Sequence, residues 1–142
     1  GEAAPGRRAG CEAYLEQAGI PWSTVRVAVG HGTTRGGYAA AARLLTDHPW
    51  LTGLVCGNDR MAMGAYDAIR ERGLRVREDV AVIGIDDQEL IADQVHPALT
   101  TVALPFEEMG QVAVSLLLDL MEGEEVPAET LLPGQIIRRS SA

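Results

Sequence analysis

The chain has 142 residues, 46% of them hydrophobic, and a mean hydropathy of +0.03, which fits one globular domain able to bury a sizeable core. Twenty acidic against 12 basic residues leave a net charge of -8, so this segment repels nucleic acid and any DNA reading has to come from elsewhere. Every basic residue is arginine, which excludes a phosphate-loop lysine, a Schiff-base lysine and a lysine general base.

Cys11 and Cys56 stand alone, with no CxxC spacing, and read as reduced, structural, intracellular thiols. No apolar run approaches the roughly 18 residues needed to span a bilayer, and no secretory leader is visible. The first residue is not Met, so the natural start of the protein is expected upstream.

In chain order, residues 1 to 6 (GEAAPG) are small and turn-forming and are expected to fray. Arg7 to Ala18 then reads as a helix stopped by Gly19, with Ala9, Tyr14, Leu15 and Ala18 facing inward. Val25, Val27 and Val29 alternate as a strand would, ending at Gly30-His31-Gly32. Thr33 or Thr34 is placed to cap a helix from Gly37 to Leu45, and Pro49 breaks the chain after it.

Next come two continuous apolar runs, Leu54 to Cys56 and Val80 to Ile85, with an amphipathic helix over 60 to 72 between them. Continuous runs suit strands covered on both faces of a parallel sheet. Each ends in polar residues, Asn58-Asp59 and Asp86-Asp87, and open parallel sheets bind ligands just beyond the carboxyl ends of their strands. Asp59 is expected to cap the helix that follows it. Residues 88 to 94 read as a short helix or turn, and Pro97 leads into a strand over Leu99 to Leu104. Glu107 to Met121 is a strong helix, with Met109, Val112, Ala113, Leu116, Leu117 and Leu120 on one side and Gly123 as its stop. Leu131-Leu132 and Ile136-Ile137 suggest short strand pieces around Pro133-Gly134. Alternating strands and helices argue for a doubly wound α/β layer of mostly parallel strands flanked by helices.

A carboxylate at the end of a buried strand is suited to accept a pair of hydroxyls from a polyol, and an Asn beside it offers both donor and acceptor. Asp86 and Asn58 have those positions; the bland alternative is that they only cap the next turn. His31, His48 and His96 lack metal-ligand spacing, and no Ser/His/Asp or Cys/His arrangement has a supporting motif, so neither a metal, a cofactor nor an active site is expected.

The stretch CGNDRMAMGAYDAIRERGLRVREDVAVIGIDD, followed by PALTTVALPFEEMG, resembles the lac-repressor-type (LacI/GalR) transcription regulators, in the later half of their periplasmic-binding-protein-like effector domain. The resemblance runs from about Arg7 to Arg139. It implies a sugar or related effector bound by Asp86, Asn58 and Arg7 or Arg8, a cytoplasmic homodimer, and operator DNA contacted only through an N-terminal helix-turn-helix outside this chain. Such regulators have paired subdomains. The resemblance assigns residues 1–101 to the C-terminal one, 102–132 to a crossover and helix belonging to the other, and 133–142 to a returning strand. An exported sugar-binding protein of the same fold is the alternative.

The chain also departs from the family: Gly32 stands where many members stack an aromatic on the sugar, and Ala103-Leu104 where many carry a polar pair. The cleft is expected to be less aromatic and less polar there, with His31 a candidate replacement ring. The apolar arc of helix 60 to 72, from Met61 and Ala62 through Tyr66 to Ile69, is wider than the stripe of about 100° that one sheet requires. That width, with the family's dimerisation through the corresponding helix, places Met63 and Tyr66 at a homodimer interface.

Overall fold

The structure, a computed structural model, describes residues 3–142. Its elements are helix α1 (Ala3–Gln17), a 3-10 turn at Trp22–Thr24, helix α2 (Thr34–Asp47), strand β1 (Gly53–Val55), helix α3 (Asp59–Glu71), strand β2 (Ala81–Asp86), strand β3 (Thr100–Ala103), helix α4 (Phe106–Glu122) and strand β4 (Gln135–Ile137). The expected frayed start at residues 1 and 2 lies outside the described residues, and from residue 3 the chain is already helical.

The sheet has the order β1-β2-β3-β4, the first three strands parallel and β4 antiparallel to β3. The continuous apolar runs imply burial on both faces, but only one face is fully covered: Val82, Gly84 and Leu99 are buried, while Ala81, Ile83 and Ile85 on the other face of β2 keep part of their surface and Val55 of β1 is exposed. The last residues stitch the sheet from its other end. The Ser141 hydroxyl donates to the Val82 carbonyl at 2.6 Å and accepts from the Thr100 amide at 2.8 Å, bridging β2 and β3. Cys56 is buried among these elements, and burial pushes its thiol up to about 12, so it stays protonated and unreactive in the folded chain.

Small residues let α2 and α3 pack backbone to backbone. A Cβ added to Gly37 would strike the main chain of Met61, and one added to Gly64 would strike the Thr34 carbonyl and the Tyr38 amide. On its other side α3 packs on β2, with Ala62, Ala65, Ala68 and Ile69 all buried. The wide apolar arc of α3 thus covers two surfaces, as its width requires, but the second is α2 of the same chain. Tyr66 corrects the expectation accordingly: it is 1% exposed within one chain, its hydroxyl donates to the Pro97 carbonyl at 2.9 Å, and it has no surface left for a partner.

Other expectations are corrected. Residues 25–29 join no strand; Val27 and Val29 are exposed, and no backbone hydrogen bond ties them to β1. Residues 131 and 132 likewise lie outside the sheet, with Leu131 exposed. On α1 the expected inward residues Ala9, Tyr14 and Ala18 face solvent, and the half-buried positions are Arg7, Cys11, Glu12 and Leu15. The α2 cap is Thr33, whose hydroxyl accepts from the Gly36 amide at 3.0 Å.

α4 ends at Gly123, whose left-handed φ of 84° closes the helix as expected. None of its residues is buried, and Met109, Val114, Leu117, Leu118, Leu120 and Met121 are exposed. No helix among the described residues is long and apolar enough to cross a membrane.

The α2–α3 contact sets a test. Gly64→Ala forces the two backbones apart, and overpacking of that kind costs about 1–3 kcal/mol or more. Chemical denaturation should show that loss, whereas Gly110→Ala on α4, where a Cβ meets nothing, should not weaken folding.

Candidate functional site

β1 and β2 run parallel and in register, so their carboxyl ends open on the same edge, followed by Gly57-Asn58 and Asp86-Asp87. Asn58 is the N-cap of α3: its Oδ1 accepts from the Met61 amide at 2.9 Å and its Nδ2 donates to the Gly32 carbonyl at 3.0 Å. The second bond draws the 30–33 turn toward the strand ends. His31 lies in that turn with φ 53°, exposed. Asp59, expected as the cap, is displaced from that role by one residue.

Asp86 ends β2 with φ 113°, and Asp87 follows with φ 54°, both in the left-handed region that side chains other than glycine avoid. Their carboxylates are held from several directions. Arg7, reaching from α1, donates Nη1 to the Gly57 carbonyl at 2.7 Å and places Nη2 3.4 Å from Asp86 Oδ1. The Gln88 side-chain amide donates to Asp86 Oδ2 at 3.3 Å. Arg139 Nη1 lies 2.7 Å from Asp87 Oδ1 but aims its N–H at the Leu99 carbonyl, 2.9 Å away, so the ion pair is a charge contact without an aligned hydrogen bond.

Of the residues singled out in sequence, the structure brings Arg7, Asn58 and Asp86 around Gly57. Arg8 goes elsewhere: its guanidinium stacks over the Trp22 ring, 5.4 Å from the centroid. Across the sheet Asp86 pairs in register with Ala103, so a small apolar side chain stands beside the carboxylate.

Gln88 was missed by sequence reasoning as part of this cluster, and Asp59, placed with Asn58 at the strand end, was assigned only to capping. Asp59 is 0% exposed and accepts from the Thr101 hydroxyl at 2.6 Å and from the Gln88 backbone amide at 2.8 Å. Burial pushes its carboxyl above the usual aspartate range; the Thr101 and Gln88 hydrogen bonds pull it down, and the nearby Asp86 and Asp87 charges push it up again. The cluster is an acceptor-rich edge with two carboxamides, Asn58 and Gln88, and two guanidinium groups, Arg7 and Arg139, suited to hydroxyl groups. Among the described residues no group of three or more His, Cys, Asp or Glu is placed to hold a metal ion.

Residues 2–142 match the family profile of the periplasmic binding protein-like domain, and the chain belongs to that family. Within it, the kinship is with lac-repressor-type regulators. The HTH-type transcriptional repressor PurR of Yersinia pestis bv. Antiqua is 38% identical over 139 residues, which is 96% of this chain and 40% of that protein. The lac repressor dimer bound to operator and the anti-inducer ONPF superposes with a TM-score of 0.89 at 34% identity, covering 98% of this chain and 41% of that one. The regulator CelR in complex with cellobiose also reaches a TM-score of 0.89 at 34% identity, over 96% of this chain and 42% of its own. The chain thus spans about 40% of the length of the curated relatives it matches.

The raised Asp59 carboxyl has a measurable sign. The folded chain holds that proton more tightly than the unfolded chain does, so the ionised carboxylate counts against folding, and increasingly so as pH rises from the ordinary aspartate range through the raised value. Relative to Asp59→Asn, the parent should lose stability from acid to neutral pH in urea titrations. A parent that gains on the variant as pH rises would contradict the assignment.

Proposed function

We propose that this chain is the effector-binding and dimer-forming part of a cytoplasmic lac-repressor-type transcription regulator, whose effector is a sugar or related polyol. The observation that carries the reading is the strand-end carboxylate of Asp86, positioned with Arg7 and Asn58 at the one edge where a parallel sheet binds ligands. Asp86 uses one lone pair on each oxygen for Arg7 and Gln88 and keeps others for ligand hydroxyls. The kinship with a cellobiose-bound regulator supports a sugar, and Gly32 and Ala103 leave this cleft less aromatic and less polar than a typical pyranose site.

In this reading residues 1–101 belong to the C-terminal subdomain, 102–132 carry the chain into a second subdomain and 133–142 return. The exposed apolar face of α4 supports that division, since leaving Leu and Met side chains in water forgoes about 1.5–3 kcal/mol each. Effector binding shifts the population of cleft conformations, and a helix-turn-helix outside this chain reads the operator. This chain's own charge of -8 leaves DNA contact to that other segment. Kinship with repressors favours this reading over an exported sugar-binding protein and over an enzyme.

In the full-length protein, Asp86→Ala and Asn58→Ala should each weaken effector binding by about 1–3 kcal/mol, the cost of leaving a polar partner unmatched. Calorimetry on a sugar that raises the thermal midpoint of the parent tests this; unchanged affinity in both variants would move the site.

Dimerisation is proposed through α3, now with Met63 alone as the expected contact. Met63 keeps part of its surface while its neighbours Ala62 and Gly64 are buried. Met63→Glu should yield a folded monomer in sedimentation, and an intact dimer would place the interface elsewhere.

A further inference from the structure

Asp59 is fully buried, accepts two hydrogen bonds and is not used by α3 as its cap. A buried carboxylate has to be matched by donors, and both of this one's oxygens are: Oδ1 takes the Thr101 hydroxyl and Oδ2 the Gln88 amide. The sheet makes room for it. A Cβ added to Gly84, inside β2, would overlap Asp59 Oδ1 and come within 2.9 Å of Leu99 Cδ2, so only glycine lets the carboxylate lie against the strand.

The position of its two donors gives this arrangement a use. Gln88 follows directly on Asp86 and Asp87, the two residues held in left-handed backbone, and its side chain returns to Asp86. Thr101 is in β3, which continues through Pro105 into α4. We propose, building on the ligand-site reading above, that Asp59 is a positioning residue for the effector loop: it fixes Asp86 and Asp87 in their left-handed conformation by holding the Gln88 amide, and ties that loop to β3 by holding Thr101. A ligand that moves Asp86 then acts on the same carboxylate that holds β3.

The test uses the full-length protein and the variants Asp59→Asn, Asp59→Ala and Thr101→Val, with two readouts: amide exchange at Gln88 by NMR, and calorimetric affinity for cellobiose, lactose and ribose. Removal of the acceptor should speed Gln88 exchange by about tenfold or more in Asp59→Ala, the loss of one buried hydrogen bond, and weaken the sugar that binds the parent to a similar extent. Asp59→Asn keeps one acceptor oxygen and should fall between, with a thermal midpoint at or above that of the parent. Thr101→Val, which keeps the shape and removes the hydroxyl, should show the loop loosened without loss of the fold, and together with Asp59→Asn it decides the matter if Asp59→Ala does not fold. Gln88 exchange unchanged in folded Asp59→Asn and Thr101→Val overturns the proposal. So does faster exchange accompanied by a lowered thermal midpoint and unaltered sugar affinity, which is the signature of a residue serving stability alone. If Gln88 is loosened in the Asp59 variants while Asp86→Ala leaves sugar affinity intact, the loop positioning stands and the ligand-site reading fails.

Discussion

A carboxylate cut off from water has to be met by donors, and around Asp59 that requirement binds the start of α3, the loop after β2 and the second position of β3. Much of the local architecture follows from it. Gly84 has to lack a side chain, Thr101 has to carry a hydroxyl, and the chain after Asp86 has to turn through positive φ for the Gln88 amide to arrive. Asn58 then takes over as cap, which commits its carboxamide to the turn at Gly32 and brings that turn to the strand ends. A cluster of polar residues at the edge of the sheet is the outcome of satisfying one buried carboxyl group.

The pattern of apolar residues carried a good part of this in advance. Val80 to Ile85 is a continuous run, and it forms a strand in the middle of the sheet with one face buried; Glu107 to Met121 shows helical periodicity and a glycine stop, and α4 has both. Period alone was insufficient where a partner had to exist. Val25, Val27 and Val29 alternate as well as any strand, yet a strand is made by hydrogen bonds to a neighbour, and these residues have none. α1 was misread for a related reason. Its Ala and Gly residues leave its inward face undefined, so the inward side was decided by Arg7 reaching Gly57 rather than by Tyr14.

The site shows the same division. The placement of Asp86 and Asn58 at one edge was legible because strand ends in a parallel sheet point there whatever the details. Asp59 was not, because Asn and Asp are equally good caps and stand side by side; only the partner 42 residues later, Thr101, decides which of them goes inward. Arg7 and Arg8 are likewise separated by what each meets, a carboxylate and a carbonyl for one and the Trp22 ring for the other. Tyr66 teaches a further point. An arc too wide for one sheet does signal a second covered surface, but the chain's own α2, brought close by Gly37 and Gly64, met that need first.

The central claim is that the edge formed by Gly57-Asn58 and Asp86 to Gln88 is where the effector sits and where its binding is felt. Titration of the isotopically labelled full-length protein with a sugar that raises its thermal midpoint tests this most directly. Amide shifts should concentrate at Gly57, Asn58, Asp86, Asp87 and Gln88 and extend through the buried carboxylate to Thr101. Shifts gathered elsewhere, for instance around Arg75 to Arg77 at the far end of α3, with the strand-end amides unmoved, would contradict it.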